Sequence, residues 1–220
     1  MRMIKLIFAP FLMLMILSYG YLLPQMLNLI AKNWLDYQGF LIGMAGFLLL
    51  AFVLFRNQNL KWLRVFSHEL THVVFSLLFF NRIAGFNAES IGSGSVSYHG
   101  KGNFIISLTP YFFPLFTVVI ILLKLISQEG LSEAFDIAIG ASYMFHLTTF
   151  WGQVGTHQTD ITKHGVIFSY SLIILMNIFF LALVLSMVSD GWSMFVDFLR
   201  VGWEDTFYFF EAVRDMVIKK

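Results

Sequence analysis

The chain has 220 residues, of which 58% are hydrophobic and 12% are charged, and its formal net charge is +1. Soluble domains carry about a quarter charged residues, so this composition predicts a polytopic protein of the lipid bilayer. Without a run of basic residues we expect no nucleic-acid partner. The absence of cysteine excludes disulfides and thiolate ligands, so a bound metal would be held by histidine and carboxylate.

Two apolar stretches predict membrane helices near the N-terminus. Residues 3–23 form an apolar run, closed by Pro24, that is long enough to span a bilayer. No small-residue cleavage site follows it, so we interpret it as a retained helix rather than a signal peptide. Residues 25–38, which include Trp34, are typical of an interfacial loop, and residues 39–55 predict a second, shorter span.

The segment 66–80, FSHELTHVVFSLLFF, places two histidines and a glutamate inside an apolar run. His68 and His72 are one helical turn apart, so both imidazoles can reach one ion. Glu69 stands where the H-E-x-x-H pattern has a base beside the metal. Ionisable groups in an apolar helix are costly in lipid and indicate function. The alternatives are chance spacing and two buried core histidines; we predict a zinc site with an open water position.

Polar and apolar segments alternate in the rest of the chain. Residues 81–103 have the turn residues and partial alternation of a β-hairpin, with an ordinary polar loop as the alternative. Three further runs have the length of membrane helices: 104–126, 135–151 and 166–188. The first contains Pro110 and Pro114, which are tolerated where a helix borders a cavity. Residues 152–165 break the apolar pattern and predict irregular backbone that lines the same cavity.

The last segment, 192–217, has aromatic and aliphatic residues at helical spacing opposite its charged residues. That pattern predicts an amphipathic helix in the membrane interface, with docking of a partner protein as the alternative. The predicted fold is an all-α polytopic membrane protein with about six transmembrane helices, a short β-hairpin after the H-E-x-x-H helix and a C-terminal amphipathic helix. We expect a membrane-embedded domain at 1–189, with its core at 61–189, and an interfacial helix at 190–220.

Two histidines do not complete a catalytic zinc site, which usually takes three protein ligands and a water. The third ligand has several candidates: Asp160, His157, His164, His146, His99 and Glu89. Chemistry alone does not select among them. Asp160 lies shortly before an apolar run and can reach the membrane depth of the two histidines, which favours it.

The order of these segments resembles the site-2 protease family of intramembrane zinc metallopeptidases. In that family an HExxH helix is followed by a membrane-associated hairpin, a proline-containing helix and an Asp-Gly motif whose Asp is the third zinc ligand. Here HELTH is followed by the hairpin-like segment, by SLTPYFFP and by QTDITKHG. The resemblance, closest to small single-domain bacterial or archaeal members, implies His68, His72 and Asp160 as ligands and Glu69 as the general base.

The chain departs from the family pattern near the third ligand. The family's Asn-Leu-Leu-Pro segment is absent, and Ile161 rather than glycine follows Asp160. Gln153 stands near the place of the family's asparagine, so we predict that it holds substrate backbone, with plain helix packing as the alternative. An edge strand containing Val96 and Tyr98 is predicted to bind an extended substrate segment by strand addition.

The implied activity is hydrolysis of peptide bonds in transmembrane substrate segments by a zinc-activated water, with Glu69 as the base. The implied location is the inner or plasma membrane of a prokaryote, and the partners are the bilayer and a substrate helix. A zinc transporter or sensor and a catalytically inactive scaffold are the alternatives. The basic residues Arg2, Lys5, Arg56, Lys61 and Arg64 are expected on the side of the membrane opposite the zinc site, and their excess would place that opposite side in the cytoplasm. The family instead has its zinc site toward the cytosol, and we follow the family.

Overall fold

The computed structural model describes residues 2–54, 58–89, 94–155, 158–189 and 191–218. The helices and strands in chain order are α1 (Arg2–Lys32), α2 (Gln38–Leu54), α3 (Gln58–Leu78), β1 (Arg82–Ala88), β2 (Gly94–His99), α4 (Phe104–Leu108), α5 (Leu115–Leu125), α6 (Ser132–Gln153), α7 (Thr159–Thr162), α8 (Val166–Val188) and α9 (Trp192–Ile218). Two compact units are formed, one from Met1–Gln38 with Thr162–Lys220 and one from Gly39–Ile161.

In the first unit α1 continues through Pro24 to Lys32, so the predicted loop at 25–38 is wrong for its first eight residues. Proline removes one backbone hydrogen bond, a loss that membrane helices tolerate. Leu22 and Met26 flank the proline, and both are buried inside the unit. Their packing keeps the chain helical past the proline, and only a short 3-10 turn at Trp34–Tyr37 separates α1 from α2.

The C-terminal helix α9 is helical as predicted and packs within the same unit as α1 and α8. The Tyr19 ring contacts the rings of Phe179 and Phe198, with centroids 4.7 and 5.3 Å apart. Its hydroxyl donates a hydrogen bond to the carbonyl oxygen of Leu199 at 3.0 Å. One face of α9 is therefore buried in the unit, while a second face with Trp203 stays exposed.

Three helices of the described residues are long and apolar enough to cross a membrane: Phe8–Lys32, Trp34–Val53 and Val166–Val188. The pair α4 and α5 adds a fourth if it counts as one broken span. The predicted number of about six is not confirmed. The other two predicted spans, α3 and α6, are less apolar, because α3 carries three charged residues and α6 carries two, besides uncharged polar ones.

The prediction of one helix over 104–126 is wrong, because the chain bends by 83° within it. The helix α4 gives way to a 3-10 turn at Thr109–Tyr111, and α5 begins after Pro114. Proline has no N–H and fixes its backbone, so Pro110 and Pro114 together end one helix and start another. The bend brings α4 and the 3-10 turn beside α3.

The predicted hairpin is present as the antiparallel pair of β1 and β2. It is fixed to the N-terminal half of α3, where the Trp62 indole N–H donates to the carbonyl oxygen of Ala88 at 3.0 Å. The Phe66 ring stacks on the Trp62 ring, with centroids 5.0 Å apart. It also makes an edge-to-face contact with the Phe86 ring, with centroids 5.9 Å apart. These contacts place the hairpin beside the HELTH segment.

A close contact between α2 and α6 holds the other side of the second unit. A Cβ built on Gly43 would lie 1.9 Å from the carbonyl oxygen of Ile137, and one on Gly140 would lie 2.0 Å from that of Phe40. Membrane helices approach this closely where small residues meet. The contact fixes α6, whose C-terminal end reaches α3.

Candidate metal centre

His68, His72 and Asp160 come together within the second unit, and their ligand atoms all lie within 4.8 Å of one another. Oδ2 of Asp160 is 3.5 Å from Nε2 of His72 and 3.9 Å from Nε2 of His68. No other group of this kind is found in the part of the chain that the structure describes. The predicted ligand set is therefore a group that could hold a metal ion.

The local fold explains this convergence. One turn of α3 separates the two histidines, so both imidazoles project from the same helix face. Asp160 lies in the short helix α7, the next helix after α6 in the chain. Ile161, next to the aspartate, is fully buried and anchors α7.

Both histidines use Nδ1 for a hydrogen bond that leaves Nε2 facing Asp160. Nδ1–H of His72 donates to the carbonyl oxygen of Ile106 at 2.8 Å. Nδ1 of His68 is 2.9 Å from Oε1 of Gln153. Such contacts on the second ring nitrogen select the tautomer and fix the ring plane of a ligand histidine.

The distances fit a bound ion. Tetrahedral zinc with bonds of about 2.0–2.2 Å places its ligand atoms roughly 3.3–3.5 Å apart. The two separations from Asp160, 3.5 and 3.9 Å, are close to that value, and the whole group lies within 4.8 Å, so side-chain shifts would complete the geometry. Two imidazoles and one carboxylate, without thiolate, form the donor set of open catalytic sites.

Asp160 is in the ionised form that a ligand requires. It lies in α7, outside the candidate spans. Burial raises the pKa of its carboxyl, but when the rings of His68 and His72 are protonated and hold no ion, their hydrogen bonds and charge outweigh burial and keep that pKa below its ordinary value. The carboxylate is therefore negative at neutral pH and complements a cation.

Glu69 lies next to this group but outside it. Its side chain is buried, with 8% exposure for the residue, and it packs against the first residue of β2. A Cβ built on Gly94 would lie 2.6 Å from Glu69 Oε1 and 2.7 Å from Val65 Cγ1. Only glycine at this position leaves room for the glutamate, so the hairpin covers the predicted base.

Gly94→Ala is expected to displace the Glu69 carboxylate. For the peptide hydrolysis that the sequence predicts, kcat should fall by about 10-fold or more, because misplacing a catalytic group by about 1 Å can lower a rate about 100-fold. Zinc affinity should stay unchanged, since Gly94 touches none of the three ligands. Both quantities can be measured on the purified protein. Gly155→Ala is the matched control, because a Cβ there meets nothing within 4 Å. Equal kcat for the two variants would show that the close contact of Gly94 with Glu69 does not position the carboxylate.

Among the described residues, the other four candidates for the third ligand do not join the group. His146 is buried in α6, and His99 and Glu89 are exposed on the hairpin. His164 belongs to the other unit. His157 lies outside the described residues.

The predicted substrate-binding residues have defined surroundings. Val96 and Tyr98 are half-buried and share a strand face with Gly94, the face that meets α3. Gln153 is the last residue of α6, and its amide contacts His68. The binding of substrate by these three residues stays a prediction.

The segment from Asn103 to Tyr111, around the bend between α4 and α5, contacts both histidines, and the sequence pattern does not predict these contacts. Ile106 supplies the carbonyl that holds His72, and its own N–H bonds to Oδ1 of Asn103 at 2.9 Å. The Tyr111 ring is fully buried and meets His68 edge-on, with centroids 5.2 Å apart. The run predicted at 104–126 does begin where α4 begins, at Phe104, and Asn103 caps that helix, but no local signal indicates the contact of Ile106 with His72.

No protein-family model matches the chain, and neither the curated proteins nor the solved structures include a significant match. The resemblance to site-2 proteases therefore rests on the order of the motifs along the chain.

Proposed function

We propose that this protein is an intramembrane zinc metalloprotease similar to the site-2 proteases. The observation that carries the proposal is the approach of Asp160 to the Nε2 atoms of His68 and His72, with Glu69 buried beside them. Asp160 is 88 positions away in sequence from His72, the nearer end of the HELTH segment. A coincidence of motif would not bring a third ligand to the same point.

Zinc held by the three side chains would lower the pKa of a water in the fourth position toward neutrality and polarise a peptide carbonyl. Glu69 has the role of general base: it accepts the proton of the attacking water and later donates it to the leaving amine. Its close packing against Gly94 restricts the motion of its side chain. The hydrogen bonds to Nδ1 keep both imidazoles in the ligand orientation.

The proposed substrate is a transmembrane segment of another membrane protein. At least three apolar helices support a membrane location for this chain. A helical substrate hides its carbonyls in internal hydrogen bonds, so it must be locally extended before hydrolysis. The strand β2 has an edge without a partner strand in the described sheet, and an extended segment added there would lie near Glu69.

Cleavage by the reconstituted protein should depend on bound zinc. We expect purified protein in liposomes to cleave a labelled transmembrane peptide, to lose that activity on treatment with a chelator, and to recover it when zinc is returned. Zinc content measured by elemental analysis should track activity. Cleavage that persists in fully metal-free protein would overturn the metalloprotease, and zinc movement across the liposome without cleavage would favour a transporter.

A further inference from the structure

Gln153 connects the end of α6 to the metal centre. Its Oε1 accepts a hydrogen bond from Nδ1–H of His68 at 2.9 Å, and its Nε2 donates to the carbonyl oxygen of Arg64 at 3.4 Å. A carbonyl can only accept, so the amide nitrogen must face Arg64 and the amide oxygen must face the ring. The carbonyl of Arg64 thus fixes the orientation of the amide, and the amide oxygen that faces His68 in turn requires the proton on Nδ1.

This orientation determines which nitrogen of His68 binds the ion. With the proton on Nδ1, the lone pair of the neutral ring lies on Nε2, which faces Asp160 at 3.9 Å. His72 obtains the same tautomer from the carbonyl of Ile106, which no side-chain substitution removes. His68 is therefore the histidine ligand whose tautomer depends on a side chain.

The position of Gln153 also links two ligands. It is seven residues before Asp160, and Gly152 beside it lies against Arg64, where a built Cβ would be 3.5 Å from Nη1. The contact of α6 with α3 thus holds His68 through Gln153, a residue only seven positions before the carboxylate of the group.

We propose that Gln153 is a positioning residue that holds His68 in its ligand tautomer, and that it does not bind substrate backbone. The inference rests on the proposed metal site. The amide oxygen accepts from His68 and the amide nitrogen donates to Arg64, so both ends of the side chain are held within the protein in the position that serves the ring. Loss of the amide should therefore weaken metal binding and leave substrate affinity unchanged.

The test compares Gln153→Ala, Gln153→Glu and the control Gln25→Ala, the same truncation at an exposed residue of α1 in the other unit. Three quantities are measured: zinc affinity by chelator competition, the visible spectrum of the cobalt(II) form, and KM with kcat at saturating zinc. We expect Gln153→Ala to weaken zinc binding by about 10–100-fold and to change the cobalt spectrum, with KM unchanged. Gln153→Glu keeps an acceptor for the ring N–H but loses the hydrogen bond to the Arg64 carbonyl, so it should recover part of the lost affinity.

The outcomes separate this inference from the proposed function. Unchanged zinc affinity and an unchanged cobalt spectrum in Gln153→Ala, together with a raised KM, would assign the amide to substrate and overturn the positioning role. An affinity of Gln153→Glu as weak as that of Gln153→Ala would overturn it too. Zinc binding that depends on Gln153 without any proteolysis would remove the protease and keep the inference. A wild-type protein that binds no zinc would remove both.

Discussion

Replacement of Glu69 by glutamine is expected to reduce peptide hydrolysis by about 100- to 10,000-fold, the usual contribution of a general base. The amide has nearly the shape of the carboxylate, so it fits under Gly94 without new contacts. It has no basic oxygen that can take the water proton. Zinc binding should be retained, because Glu69 is not among the three ligands.

The measurement pairs zinc content with the rate of cleavage of a transmembrane peptide in liposomes. Glu133→Gln is the matched control, since it makes the same change at an exposed residue of α6 in the same unit. Near-normal cleavage in Glu69→Gln would remove the proteolytic mechanism and leave a metal-binding membrane protein. Loss of zinc in the same variant would show that Glu69 acts as a ligand.

The sequence predicts the features that depend on local pattern. The spacing of His68, Glu69 and His72 requires only that residues 68–72 be helical, and the hairpin follows from turn residues between alternating strands. Membrane helices at 39–55 and 166–188 agree with α2 and α8 because apolar length alone determines them.

The prolines show where the local sequence does not predict the ends of helices. Pro24 was expected to end a helix but is carried inside α1, whereas Pro110 and Pro114 break a run that was expected to be one helix. The residue type is the same, and the outcome depends on whether the packing of neighbouring residues replaces the lost hydrogen bond. That information is tertiary and absent from the local sequence.

The third ligand of the site also depends on tertiary contacts that the local sequence does not contain. Position along the chain favours Asp160 but does not exclude the other candidates, because the placement of α7 decides which side chain reaches the histidines. The contact of Gln153 with His68 joins residues 85 positions apart. No periodicity or motif of the chain encodes it.

Removal of a ligand is expected to cost more zinc affinity than any other change at the site. His72→Ala deletes a nitrogen ligand, and Asp160→Asn replaces a carboxylate with a neutral amide that no longer offsets the charge of the ion. Loss of an outer contact already costs about 10- to 100-fold, so each variant should lose more than about 100-fold in zinc affinity. Proteolysis should fall in parallel, which distinguishes these variants from Glu69→Gln.

Two matched controls make this result specific to the site. His99→Ala makes the histidine truncation at an exposed residue of the hairpin, and Asp36→Asn makes the acid-to-amide change at an exposed residue of the other unit. Both should keep wild-type zinc affinity. Full zinc occupancy in Asp160→Asn would contradict the ligand set, and a simultaneous loss in His157→Ala would transfer the third position to that histidine. Because Asp160 approaches both Nε2 atoms while each Nδ1 is held by a separate partner, we expect the carboxylate to be the residue that completes the site.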